Sequence, residues 1–261
     1  MRKLNLFFFS LLAALIVASA ASAGMLIPNS QKAKDNARAP EKSPAISETV
    51  AGEWDLERVD FIHYAKPNNP GNQGNKPAGG DTCYKTLGVK WKSLPVSYVI
   101  NSSNGDGLTE SFVAGAISAA AETWDRETSA ELFSDNYRLD TGAVYGVQNF
   151  ENALAFGNYP DPNVIGVTSI WYTRQGKQLV EFDMLFNDSF LWGDATATSA
   201  PIFMDLENIA AHELGHAAGL DDIYSSNCSA VTMYGYSGEG EIEKRSLEPA
   251  DIAGIQKLYG I

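Results

Sequence analysis

A chain of 261 residues suits one large domain or a domain with a pro-region, and its 44% apolar and 11% aromatic content is enough to build a buried core. The formal net charge is -13, with only 19 Lys and Arg, which excludes the basic footprint that a nucleic-acid partner needs. An acidic surface of this kind is read as solubilising, with calcium binding or a salty habitat as the alternatives.

The chain opens with Arg2 and Lys3, followed by an apolar run over residues 4–18 and the small-residue site Ala21-Ser22-Ala23. That pattern predicts a secretory signal over residues 1–23, cut before Gly24. The apolar run is short for a membrane span and lacks a stop-transfer flank, so no stable membrane association is expected after cleavage. Residues 24 to about 50 are polar with little periodicity, as in a pro-segment or N-terminal extension. The stretch 54–64 (WDLERVDFIHY) is more apolar and is expected to pack on the body. Residues 66–81 (KPNNPGNQGNKPAGGD) have linker composition, which sets the body at 82–261.

Within the body, residues 95–100 (PVSYVI) read as a strand, ended by a polar Asn-Ser-Ser-Asn-Gly turn. Residues 109–128 read as a long amphipathic helix capped by Thr109, with Phe112, Ile117, Ala120, Ala121 and Trp124 near one face. Residues 144–147 and 153–156 are strand candidates. Residues 167–172 and 179–186 are stronger ones, joined as a hairpin. Residues 205–218 read as a helix capped by Asp205, with Leu206, Ile209, Ala210 and Leu214 as its apolar stripe and Gly219 as its stop. A last helix over 249–259 starts at Pro249 and ends at Gly260. This order implies an α/β (α+β) body with a mixed sheet.

The run His212-Glu-Leu-Gly-His216-Ala-Ala-Gly219-Leu-Asp-Asp222 carries the chemistry. Two histidines four apart sit one above the other on a helix and can share one zinc ion, while Glu213 beside them is placed to act as general base on a water. A catalytic zinc takes three protein ligands and keeps a fourth position open. The chain has three histidines, and the third, His63, lies ahead of the linker. The remaining ligand is therefore read as a carboxylate. Gly219 permits a left-handed turn out of the helix that returns Asp222 toward the metal; Asp221 is the neighbouring alternative, and spacing favours Asp222.

This spacing resembles the metzincin clan of zinc endopeptidases, whose signature is H-E-x-x-H-x-x-G-x-x-H followed by a Met-turn. Asp222 stands where most of the clan has His, similar to the snapalysin type. Val231-Thr-Met233-Tyr234-Gly resembles the Met-turn, with Met233 as an apolar floor and not a ligand. Residues 247–260 resemble the closing helix of matrixins. Residues 95–128 resemble their first strand and helix, and Glu181-Phe-Asp-Met-Leu-Phe-Asn187 resembles the last sheet strand of microbial matrixin-like proteases. The likeness covers 82–261. The histidines of the structural zinc site of animal matrixins are absent, as is a P-R-C-G-x-P-D cysteine switch.

The resemblance implies a twisted mixed sheet with an active-site helix, a long backing helix and a C-terminal helix. It implies a secreted or periplasmic, monomeric endopeptidase with one catalytic Zn2+, calcium remaining unsupported. Residues 166–173 would form an edge strand along which an extended protein or peptide substrate pairs. Some of the clan hold the oxyanion with a Tyr two residues after the Met. Here that position is Gly235, and Tyr234 and Tyr236 on either side are read as cleft-wall packing. Cys83 and Cys228 are expected to form a disulfide in an exported protein, the other reading being a Cys83 thiolate gate on the zinc. Two rivals stand beside this reading. One is another zinc-protease class with Glu239, Glu241 or Glu243 as third ligand. The other is a non-enzymatic exported binding or surface protein with a structural zinc.

Overall fold

The computed structural model describes residues 48–50, 55–66, 82–197 and 202–261. The expected signal, its cleavage site and nearly all of the 66–81 linker lie outside the described residues. The described strands are β1 (Glu48–Val50), β2 (Leu56–Ala65), β3 (Val99–Asn101), β4 (Arg138–Leu139), β5 (Ala153–Gly157), β6 (Val164–Thr173), β7 (Leu179–Asn187), β8 (Trp192–Gly193), β9 (Met204–Asp205) and β10 (Tyr236–Ser237). Helix α1 (Glu110–Asp125) follows β3, α2 (Leu206–Ala217) follows β9, and α3 (Pro249–Tyr259) closes the chain.

The main sheet runs β1-β2-β6-β7-β5-β3-β4, with β10 pairing β2. It is mixed, as the sequence implies: β4, β3, β5 and β7 are mutually parallel where they pair, while β7-β6, β6-β2 and β2-β1 are antiparallel. β6 and β7 are buried along almost their whole length, and the polar residues they carry, Thr168, Ser169, Glu181, Asp183 and Asn187, are buried with the rest.

Helices α1 and α2 pack together over this sheet. Thr109 caps α1 by accepting the Phe112 N–H. Three small side chains of α1, Ala114, Ala120 and Ala121, are buried and let the helix axes approach closely. Trp124 Nε1 donates to the Ala211 carbonyl of α2 at 2.8 Å, so the largest side chain of α1 enters the core with its polar atom satisfied. Trp91 Nε1 and the Tyr259 hydroxyl donate to the carbonyls of Ala217 and Ala218, each at 2.8 Å. These bonds fix the end of α2, the point at which the chain must turn back.

Two sequence readings change. Residues 144–147 form a loop, not a strand. Carboxylates of β7 take backbone donors in and after this loop in place of a strand partner: Asp183 accepts from Gly146 N at 2.7 Å and from Ala153 N, at the start of β5, at 3.1 Å, and Glu181 accepts from Asn149 N at 3.0 Å. The strand expected at 95–100 is shorter and starts at Val99, with Val96 making only an isolated bridge to Phe133.

Cys83 and Cys228 are bonded to each other, which excludes the reading of Cys83 as a thiolate gate. The bond joins the start of the body to the loop ahead of Met233 across 145 residues of sequence. Closing so long a loop restricts the unfolded chain. Replacing both cysteines with Ser is expected to lower the unfolding free energy by about 2–5 kcal/mol, read by denaturant titration. Thiol labelling of the denatured parent should find no free thiol at these positions before reduction.

Candidate metal centre

Asp205 caps α2 by accepting the Asn208 N–H at 2.9 Å, and the helix that follows buries all but one of its residues. His212 and His216 point the same way from successive turns, with their Nε2 atoms 3.2 Å apart. His212 Nδ1 lies 2.7 Å from the Thr232 carbonyl and His216 Nδ1 lies 3.0 Å from the Leu220 carbonyl. A carbonyl only accepts, so each Nδ1 carries the proton and each Nε2 lone pair is left facing the shared point.

The chain leaves α2 through Gly219 at φ 101°, a left-handed conformation that a side chain would strain. A Cβ there would also run into the Val89 carbonyl oxygen. The turn brings Asp222 back: its Oδ1 lies 3.3 Å from His212 Nε2 and 3.5 Å from His216 Nε2. Asp222 Oδ2 accepts the Tyr224 hydroxyl at 2.9 Å, whereas Oδ1 is buried with no hydrogen-bond partner. Asp221 instead pairs with Lys85 at the surface. Glu241 pairs with Lys66, and Glu239 and Glu243 are exposed. His212, His216 and Asp222 form a group whose donor atoms can hold one ion. Zinc–ligand distances of about 2.0–2.1 Å give tetrahedral edges of about 3.3 Å, so the three separations fit that metal. The orphaned Oδ1 fits it too, because a buried unpaired carboxylate oxygen is costly without a cation.

Met233 is buried in the Met-turn segment and lies against Gly215 of α2, where any Cβ would collide with its sulfur. Asp251, in the first turn of α3, accepts from Thr232 N at 2.8 Å and from Met233 N at 3.1 Å. Asp251 therefore holds the turn whose Thr232 carbonyl orients His212. Asp251→Ala is expected to lower metal affinity by about 10–100-fold, as outer-shell losses do, measured by competition with a chromogenic chelator. Unchanged affinity would dismiss that linkage. Tyr234 and Tyr236 pack with Tyr224, Val231 and the disulfide, in line with a packing role.

Glu213 is fully buried next to the two histidines. Its Oε2 accepts the Thr168 hydroxyl of β6 at 2.6 Å, and its Oε1 lies 3.1 Å from His63 Nδ1. Burial pushes its carboxyl up to about 7. Burial and the nearby Lys244 hold His212 down to about 3, which keeps its imidazole neutral.

Phe61, Thr168, Lys244 and Asp251 belong to this centre without being singled out in the sequence, and His63, which the sequence sets apart ahead of the linker, joins them. The Phe61 ring stacks on His216 at 4.2 Å, and the His63 ring lies 3.9 Å from that of His212. Both come from β2, which pairs with β6 along its length. The strand expected to be an edge, residues 166–173, thus has neighbours on both sides.

The matrixin family profile matches residues 90–260, most of the chain and all of this centre except β2 and the residues before position 90. The chain belongs to the matrixin family. Matrixins are zinc-dependent endopeptidases of the metzincin clan, and the mixed sheet with its closing helix agrees with that fold. The chain is 27% identical over 180 residues to the hatching enzyme of Paracentrotus lividus, covering 68% of this chain and 27% of that protein. It is 27% identical over 213 residues to stromelysin-1 of Rattus norvegicus, covering 81% of this chain and 40% of the relative. With matrilysin of Homo sapiens it shares 29% identity over 181 residues, covering 66% of this matrixin and 59% of the relative. The chain thus spans between about a quarter and three fifths of the length of these relatives. Among the described residues, no helix is long and apolar enough to cross a membrane.

Proposed function

We propose that the chain is an exported zinc-dependent endopeptidase in which His212, His216 and Asp222 hold the ion and Glu213 is the general base. The observation that carries this reading is the convergence of two Nε2 atoms and an otherwise unpartnered carboxylate oxygen on one point, with Glu213 beside it. When bound, zinc supplies a Lewis acid that acidifies water and polarises a peptide carbonyl.

The residues of the chain do the rest. The carbonyls of Thr232 and Leu220 lock the histidine tautomers so that both lone pairs face the ion. The Tyr224 hydroxyl holds one Asp222 oxygen and leaves the other for the ion. Thr168 holds Glu213 Oε2, so the carboxylate keeps one orientation while Oε1 takes a proton from the attacking water. Glu213 then returns that proton to the leaving amine, which makes the amine a better leaving group. An extended protein or peptide substrate would pair with β6, the strand that carries Thr168.

The test uses the purified exported protein, with its N-terminus and zinc content read together with cleavage of a peptide library. One zinc per chain and cleavage that stops with chelator and returns with zinc are expected. Zinc-replete protein with a free cleft that leaves every peptide intact would instead favour the non-enzymatic structural-zinc reading.

A further inference from the structure

The metal centre is sealed. His212, Glu213 and His216 are wholly buried and Asp222 is 6% exposed. The seal comes from the chain itself. β2 runs antiparallel to β6 from Leu56 opposite Thr173 to Tyr64 opposite Val164, and parallel to β10 at its other edge, with Tyr64 opposite Tyr236. It therefore fills the gap between the strand that carries Thr168 and the segment that follows the Met-turn. Its alternation divides its contacts. Val59, Phe61 and His63 face the helices, Phe61 lying on His216 and His63 on His212. Arg58, Asp60 and Ile62 face the other way, where Arg58 donates to Asp60 at 2.7 Å and Ser169 donates to Asp60 at 2.6 Å.

His63 does more than fill space. Its Nδ1 contacts Glu213 Oε1, the oxygen left over once Thr168 has taken Oε2. That is the position an attacking water needs. On the other side of the ring, Lys244 Nζ lies 3.4 Å from His63 Nε2 and donates to the Tyr234 carbonyl, so the Met-turn segment clasps the strand.

We infer that β2 is a built-in blocking strand: it occupies the peptide-binding edge of β6, and His63 takes the hydrogen-bonding position of the water on Glu213. Peptide reaches the centre only after β2 withdraws. The inference rests on the metal-centre reading above. The block acts on the base and on strand pairing, and it needs no thiol, since Cys83 is committed to Cys228. A ligand that competes with β2 binds with an affinity reduced by the fraction of chains in which β2 is withdrawn.

The test loads the full chain with cobalt(II), whose d–d absorption reports metal at the centre, and titrates acetohydroxamate as a small metal-seeking probe. The parent is compared with Phe61→Ala/His63→Ala. It is also compared with a full chain carrying a site-specific protease sequence within residues 67–80, before and after the cut. Far-ultraviolet circular dichroism and the intact disulfide establish that the body of the variant is folded. The cut chain carries the test if the variant is not. Probe affinity and peptide turnover are expected to rise at least about tenfold in the variant and after the cut, with faster amide exchange in residues 164–173. Cobalt bands in all forms with equal probe affinity would overturn the blocking strand and leave the metal centre standing. Absence of cobalt bands in every folded form would remove the metal-centre reading, and this inference with it.

Discussion

Replacing Glu213 with Gln is expected to leave zinc stoichiometry unchanged and lower kcat/KM by about 10²–10⁴-fold, the range for loss of a positioned general base. In activation free energy that is about 3–5 kcal/mol. Gln keeps the shape of the side chain and an oxygen for the Thr168 hydroxyl, so neither the β6 contact nor the ligand geometry changes. What it loses is the capacity to take a proton. Zinc analysis with steady-state kinetics on one peptide, for parent and variant treated identically, separates the two functions. A Glu213→Gln protein that cleaves at the parental rate would dismiss the general-base role, whatever its zinc content.

The second large effect falls on Asp222. Asp222→Ala removes one of three donors and is expected to weaken zinc binding by more than about 100-fold, beyond the range of outer-shell changes. Competition with a chromogenic chelator measures it. Glu239→Ala, Glu241→Ala and Glu243→Ala are expected to bind zinc as the parent does, because these carboxylates are exposed or turned to Lys66. Loss of zinc in one of those three, with Asp222→Ala unaffected, would reverse the ligand assignment. Asp222 is the informative position because the metzincin signature has His there. The shortage of histidine in the body and the orphaned Oδ1 point to it independently.

The parts of this centre that were legible in the sequence are local. His212, Glu213, His216, Gly219 and Asp222 lie within eleven residues, and one helix followed by one left-handed turn brings them together whatever the rest of the chain does. The same holds for α3, marked by Pro249 and Gly260, and for the Thr109 and Asp205 caps. What was not legible depends on pairing across long sequence distances. His63 is 150 residues from Glu213, and a linker-like stretch between them argued for setting it apart. A partial signal existed: Val59, Phe61 and His63 lie two apart, the period of one strand face, although apolar Ile62 between the last two blurs the alternation. Thr168, Lys244 and Asp251 gave no such sign, because ordinary polar residues become site residues only through the fold around them. The loop at 144–147 is a strand candidate by its sequence, Val-Tyr-Gly-Val. The carboxylates that claim its backbone lie some 35 residues further on, and propensity over a short window does not see them.

Zinc-edge anomalous diffraction from crystals of the purified full chain tests the central claim most directly, since it reports the ion whether or not the cleft is open. One strong peak is expected, within about 2.0–2.2 Å of His212 Nε2, His216 Nε2 and an Asp222 carboxylate oxygen. No peak in zinc-supplemented crystals, or a peak ligated by Glu239, Glu241 or Glu243 with Asp222 turned away, would contradict it.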